Sequence, residues 1–329
     1  MSPGLIENIV LKCLADSYGI SGSLERLSGE NLNYLLSTLD GERFVVKIVD
    51  DDMPPEVVEM EFDALEYAIS VGFSLKLPRI VRNKNRNIET GMNIRINSLY
   101  RLRLLTFIDD INLDTMSNIS DILLKNIGIS VASYNLAMQG FDHPAAKRSH
   151  RWNLIEAGRH RDKILMVNDT DKQALLAWGF DTWQQSEIKL KSLPWQFIHG
   201  DMNPENILVR GDRVTGLVDF GDSCFNPVIC DLAICLAYIM MDRADPLETA
   251  VTVTRAYHEI RPLAEAELSV IYPLICGRLA TTIAVSTSRR RIDPDNPNWF
   301  GEEEPTWGLL EKLRDISEGQ QTVPDLIRP

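Results

Sequence analysis

The chain opens with apolar residues three and four positions apart. Leu5, Ile6, Ile9, Val10, Cys13 and Leu14 fall on one face of a predicted helix. Beyond residue 20 the period shortens. NYLLSTL and ERFVVKIV flank Asp40-Gly41, which predicts a β-hairpin with a tight turn. Pro54 and Pro55 then precede a stretch in which Val57, Met60, Ala64, Leu65 and Ala68 recur at helical spacing, and Gly72 follows it. In IETGMNIRINSLYRLRLLTFID the period is two. Ile94, Ile96, Tyr100, Leu102 and Leu104 point one way, and Arg95, Asn97, Arg101 and Arg103 the other, as in a half-buried antiparallel pair or meander. From Asp114 onward helical texture dominates, broken where ILVR and RVTGLVDF flank Gly211-Asp212 as a second hairpin. The pattern predicts an α+β protein of two lobes. Residues 1–108 form a small antiparallel-sheet lobe with a helix, and residues 109–329 a larger, mostly helical lobe. The tail after Glu318 reads as a loose end.

Composition narrows the classes. With 329 residues the chain can bury a sizeable core. It carries 34 basic and 47 acidic residues, a net charge of −13, and no basic patch of the kind duplex nucleic acid requires. The acidic balance leans weakly toward a cationic small substrate. The start has no basic n-region, and the longest apolar run, Leu232 to Met241, is too short to span a bilayer, so neither export nor membrane insertion is expected. Five unpatterned cysteines suggest reduced thiols and a cytoplasmic protein. Cys224, Cys230 and Cys235 cluster but lack the close pairing that structural zinc needs.

The chemistry is concentrated in HGDMNPENILVRGDRVTGLVDFGD, from His199 to Asp222. Phosphoryl transfer needs a carboxylate beside the attacking hydroxyl and hard oxygen ligands for Mg²⁺. Asp201 precedes Asn206 by the Asp-to-Asn spacing of a kinase catalytic loop, and Asp219-Phe220-Gly221 ends the second strand of the hairpin. The hairpin therefore aims Asn206 and Asp219 at one cation. Upstream, Lys47 in RFVVKI suits the phosphate-binding lysine, and Glu61 its helix partner, with Glu59 and Glu56 as alternatives. No G-x-G-x-x-G precedes Lys47, and DSCFNPVICDLA replaces the A-P-E segment after DFG. Both departures point away from protein substrates and toward a small acceptor.

HGDMNPENIL, LVDFGD and the following DLA together resemble the aminoglycoside phosphotransferase and choline kinase superfamily, across nearly the whole chain. Within it, VDFGDSCFNPVICDLAICLAYIMM and YPLICGRLATTIAVSTSRRR, with NPNWF beyond, resemble hydroxylysine kinases. The resemblance implies a protein-kinase-like fold, Mg²⁺, and ATP or GTP as phosphoryl donor. It implies Asp201 as catalytic base, Asn206 and Asp219 as metal ligands, and Lys47 on the α/β-phosphates paired with Glu61. Ser28 to Asn33, with Ser28, Asn31 and Asn33 foremost, would replace the glycine-rich loop. Leu105 to Ile108, with Leu105, Phe107 and Ile108 foremost, would form the hinge beside the nucleotide base. The implied acceptor is a small hydroxylated amine or amino acid. Hydroxylysine comes first, and homoserine, choline, ethanolamine or an aminoglycoside are the alternatives. A non-catalytic kinase-like binding module should have lost Asp201, Asn206, Asp219 or Lys47, and all four are present.

Other residues admit two readings. His199 suits a structural hydrogen bond better than catalysis, and Asp231 suits an anchor for the catalytic loop, since a buried acid needs fixed donors. Asp222 suits a substrate ammonium or the metal region equally with a loop cap. Arg278 interrupts the apolar ICGRLATTIAV and needs an anion, either a substrate carboxylate or an internal acid. Trp299 either walls the acceptor pocket or packs. Arg289, Arg290 and Arg291 read as a solvated helix end, and Glu302 to Glu304 as surface.

Overall fold

The computed structural model describes residues 3–27, 32–50, 53–95, 98–294 and 303–318. The chain divides into two compact units, residues 1–66 with 77–109, and residues 67–76 with 110–329.

In the first unit, helix α1 (Pro3–Ser17) leads into strands β1 (Gly22–Arg26), β2 (Leu32–Thr38) and β3 (Arg43–Asp50). Helix α2 (Pro55–Ser70) follows, then β4 (Ile80–Val81), β5 (Thr90–Arg95) and β6 (Ser98–Thr106). The sheet runs β1-β2-β3-β6-β4, with β5 also on β6, and every pairing is antiparallel. Period two decides its faces. Phe44, Val46, Ile48, Leu102 and Leu104 join Val10 and Leu14 of α1 in one buried cluster. Emptying one such position by truncation to Ala costs about 2–5 kcal/mol.

The opposite face departs from expectation. It is covered rather than solvated. Arg101 and Arg103 are buried, 9% and 3% exposed, because acids meet them there: Glu89 at 2.9 Å from Arg101, and Glu61 of α2 at 2.8 Å from Arg103. Leu5, expected on the packed face of α1, is exposed. Ile96 and Asn97 lie outside the described residues.

The second unit carries the helices: α3 (Asp121–Ala137), α4 (Thr170–Gln184), the single turn α5 (Glu187–Leu190), α6 (Ile229–Ile239), α7 (Pro246–Ile260), α8 (Glu265–Ile292) and α9 (Glu303–Glu318). Two small sheets sit among them. β9 (Ile207–Arg210) pairs with β10 (Arg213–Leu217) as the expected hairpin, and β7 (Ile111–Asn112) extends it. β8 (Trp195–Ile198) pairs with β11 (Cys224–Pro227). Helix α8 is long and apolar enough to cross a membrane, a feature missing from the sequence reading. However, 89% of its apolar stretch is buried inside the protein, as in a core helix.

Candidate active site

Two adjacent strands deliver the chemistry. The chain leaves β8 through His199-Gly200-Asp201 and re-enters β11 through Asp219 to Ser223, with Ile198 paired to Cys224. Gly200 adopts φ 79°, and a Cβ there would stand 2.3 Å from the carbonyl oxygen of Asp222. Only glycine lets the two loops approach so closely. Asn206 and Asp219 meet at the open end of the other hairpin: Ile207 pairs with Leu217, and the Val218 amide donates to the Asn206 carbonyl at 3.0 Å. Asp219 adopts φ 61°, in the left-handed region that Gly, Asn and Asp tolerate best.

Asp231, at the start of α6, holds this arrangement, as its sequence position suggested. Its carboxylate accepts the amides of His199 at 3.1 Å and Gly200 at 2.8 Å, and Nδ2 of Asn135 at 2.8 Å. Burial pushes its pKa up to about 6, while these donors work to lower it. His199 has the structural role expected of it. Its Nδ1 accepts the Asp201 amide at 3.3 Å, which leaves Nε2–H to donate to the Val218 carbonyl at 3.1 Å. The ring packs on Phe220 with centroids 4.6 Å apart. Asp231→Ala should strand three buried donors and lower stability by about 1–3 kcal/mol or more. The urea midpoint reads this directly, and an unchanged midpoint would refute the anchor.

Asp201, like Asp231, accepts three donors. Its Oδ2 accepts Nδ2 of Asn203 at 3.1 Å and Nδ2 of Asn206 at 2.9 Å, and its Oδ1 accepts Nη2 of Arg278 at 2.7 Å. A carboxylate offers about four acceptor positions. Three are filled, so one remains, on Oδ1, and 18% of the side chain stays exposed. Burial raises the pKa of Asp201 to about 7; Arg278 opposes the shift, and Asp222 and Asp219 add to it. The arrangement is that of a fixed base with room for one hydroxyl.

Asn206 also gives Nδ2 to the Asp201 carbonyl at 2.9 Å. With the amide nitrogen spent on two acceptors, its Oδ1 is the atom left for a ligand. Asp219 accepts the Gly221 amide at 3.3 Å on Oδ1. An amide oxygen and a carboxylate fit a hard cation such as Mg²⁺. Among the described residues no group of three His, Cys, Asp or Glu side chains converges on a metal position.

Arg278 corrects the expectation of a substrate carboxylate. Its anion is the internal acid, Asp201 itself. The Arg278 side chain is 3% exposed, and its guanidinium carbon lies 4.9 and 5.2 Å from the ring centroids of Trp152 and Tyr238. Its Nε donates to the Tyr238 hydroxyl at 3.0 Å and its Nη1 to the Trp152 carbonyl at 3.3 Å. Asp222 stands 3.4 Å from His150, Oδ1 to Nδ1. Arg148 secures the loop between them, donating through Nη2 to the Gly221 carbonyl and through Nε to that of Ser223 at 3.3 Å. None of Asn203, His150, Trp152 or Tyr238 carried a sequence signal. Of Arg289 to Arg291, expected as a solvated end, Arg290 and Arg291 are exposed as expected, yet each residue has a partner: Arg289 lies over Trp152, Arg290 pairs with Glu303, and Arg291 donates to the Met166 carbonyl at 3.0 Å.

In the first unit Lys47 lies on β3 opposite Arg103 of β6, on the third strand of the sheet because β1 precedes the hairpin. Glu61, expected to pair with Lys47, directs its carboxylate to Arg103. Asn33 pairs with Lys47 across β2 and β3. Leu105 pairs with Val45, the Phe107 amide donates to the Arg43 carbonyl at 3.2 Å, and Ile108 is half-buried. Ser28, Asn31, Glu302, Trp299 and the tail after Glu318 lie outside the described residues.

Comparison with known proteins agrees with this geometry. A profile described as the phosphotransferase enzyme family matches residues 23–267, most of the chain. The chain belongs to the phosphotransferase enzyme family. It is 24% identical over 313 residues to the hydroxylysine kinase of Mus musculus, covering 88% of this chain and 81% of that one. To the homoserine kinase of Gluconobacter oxydans (strain 621H) it is 24% identical over 254 residues, 75% of each. Among solved structures, a microcompartment-associated aminopropanol kinase superposes with a TM-score of 0.72 at 18% identity, covering 96% of this chain and 99% of that one. Amicoumacin kinase, in complex with AMP-PNP, Ca²⁺ and Ami, gives 0.71 at 16% identity, covering 96% and 94%. The fold of this phosphotransferase is thus the two-lobe, protein-kinase-like one.

Proposed function

We propose that this phosphotransferase moves the γ-phosphoryl group of ATP or GTP to the hydroxyl of a small hydroxy amino acid, hydroxylysine first and homoserine second. The observation that carries the reading is Asp201, with three of about four acceptor positions filled and one left on Oδ1 of a side chain still 18% exposed. Relatives named hydroxylysine kinase and homoserine kinase support the acceptor class, and a relative solved with AMP-PNP supports the donor. In this reading Oδ1 of Asp201 takes the hydroxyl proton as the oxygen attacks the γ-phosphorus, and the nucleoside diphosphate leaves with the bridging oxygen. Arg278 holds the carboxylate in place meanwhile. Asn206 and Asp219 would hold Mg²⁺, and Lys47 would position the phosphates. Bound Mg²⁺ would neutralise the charge on the phosphoryl group being transferred.

Steady-state rates on hydroxylysine, homoserine, choline, ethanolamine and kanamycin, each with ATP and with GTP, test the reading. Hydroxy amino acids should give the highest kcat/KM. Preference for kanamycin or choline would overturn it. Because Arg278 is satisfied internally, it gives no ground for excluding acceptors that lack a carboxylate.

The cation sites make a second prediction. Asp219→Ala and Asn206→Ala should weaken Mg²⁺-dependent nucleotide binding, Asp219 more, since it brings formal charge. Calorimetric titration with Mg·nucleotide checks it, and unchanged affinity in both variants would remove the metal assignment.

A further inference from the structure

With Arg278 committed to Asp201, a charged end of the acceptor needs another receptor. The segment that walls Arg278 supplies one. Residues 148–153 are tied to the site at both ends: Arg148 bonds the Gly221 and Ser223 carbonyls, and the Trp152 carbonyl accepts from Arg278 at 3.3 Å. This segment continues into a 3₁₀ stretch, Leu154–Met166. Between the two lies a cavity of about 440 Å³ whose polar walls include His150, Arg151, Arg159, His160, Asp162 and Lys163. Two arginines and a lysine face Asp162 there, with Glu156 paired to Arg159 at 3.1 Å, in a chain whose net charge is −13.

The histidines differ in a telling way. His160 is saturated, with Nε2–H donating to the Arg151 carbonyl at 2.9 Å and Nδ1 accepting from Lys163 at 2.6 Å. His150 is not. Its side chain is only 10% exposed, its Nδ1 stands 3.4 Å from Asp222 without hydrogen-bond geometry, and neither ring nitrogen has a hydrogen-bond partner among the described residues. A buried polar ring without a partner costs free energy unless a ligand completes it. Burial first, then the cations Lys163 and Arg159, hold the pKa of His160 down. Burial likewise lowers that of Lys163, with Arg151 and Arg159 adding to the effect and Asp162 opposing it. Burial leads both shifts, the neighbouring cations add to it, and an anion seated beside these desolvated groups would offset the cost.

We propose that this cavity receives the non-reacting, carboxylate end of the acceptor, with His150 joining it to the aspartates around the hydroxyl. The inference rests on the reading of the chain as a kinase of hydroxy amino acids. It locates the carboxylate subsite on residues 150–163 rather than on Arg278.

Matched acceptors test it: homoserine against 3-aminopropan-1-ol, and hydroxylysine against its decarboxylated diamine. In wild type the carboxylated member of each pair should have the lower KM. Lys163→Met and Arg151→Gln should each reduce that preference about 10- to 100-fold, the loss expected for one charge-assisted bond. The change should fall on KM and not on kcat. Lys163→Arg, which keeps the charge, should retain the preference. Equal shifts for both members of a pair, or no shift in either variant, would overturn the proposal. Calorimetric binding of the same pairs without nucleotide separates it from the kinase reading. If wild type phosphorylates none of these compounds, the reading fails. The cavity proposal still stands if the amino acids bind in a Lys163-dependent way, and falls if they bind no better than their decarboxylated partners. Inorganic phosphate serves as the competing anion. Lys163-dependent binding of phosphate, with equal KM for both members of each pair, would assign the cavity to phosphate and overturn the carboxylate assignment.

Discussion

Asp201→Asn should lose about 10²–10⁴-fold in turnover while keeping nucleotide affinity close to wild type. The geometry explains why so small a change should cost so much. The carboxylate receives three N–H donors, two on Oδ2 and one on Oδ1. Asparagine has one acceptor oxygen and one NH₂. If the oxygen faces Asn203 and Asn206, the NH₂ points at Arg278 and at the position reserved for the hydroxyl. If it faces Arg278, the NH₂ confronts two amide donors. Neither orientation can take a proton from an incoming hydroxyl. Nucleotide affinity should survive, because the residues proposed to hold it are Lys47, Asn206 and Asp219. Single-turnover phosphorylation alongside calorimetry with Mg·nucleotide separates the two effects. A variant with near-wild-type kcat on its best acceptor would remove Asp201 as the base.

Features that local sequence specifies were legible. The β9–β10 hairpin shows itself through its Gly211-Asp212 turn and flanking apolar residues, so the meeting of Asn206 and Asp219 followed from spacing alone. Asp231 was readable because a lone acid within an apolar helix must find donors. Where two distant segments cooperate, sequence is silent. The apolar/polar alternation of β6 marks Arg101 and Arg103 as a solvent face. It cannot show that Glu61 and Glu89 arrive to cover them. Strand β1 was missed because GSLER is short and mostly exposed, without the alternation that identifies β2 and β3. β8 and β11 are four residues each, and their pairing, which sets the approach at Gly200, joins segments separated by both signature loops. The need of Arg278 for an anion was visible, but not which anion. Its partner lies 77 positions away, and Trp152 and Tyr238, which hold it, belong to no motif.

Arg278→Leu should be the most damaging substitution in α8, to stability and turnover together. Removing one member of a buried ion pair costs about 3–5 kcal/mol, since the other charge is left desolvated. Asp201 keeps 18% of its surface, so the low end of that range applies. The loss extends past the pair. The Tyr238 hydroxyl and the Trp152 carbonyl each lose a donor, and the two rings lose the cation near them. Lysine should rescue little. It lacks the planar fork that reaches Tyr238, Trp152 and Asp201 at once. A double-mutant cycle with Asp201→Asn isolates the pair, because the second change should cost far less once the first has removed the charge it balances. The kinetic signature discriminates as well. Arg278 acting through Asp201 lowers kcat for every acceptor alike, whereas an Arg278 that binds the acceptor carboxylate raises KM for homoserine and leaves 3-aminopropan-1-ol untouched. Additive losses in the cycle, together with that selective KM effect, would return Arg278 to the substrate and leave the closed geometry around Asp201 without its role.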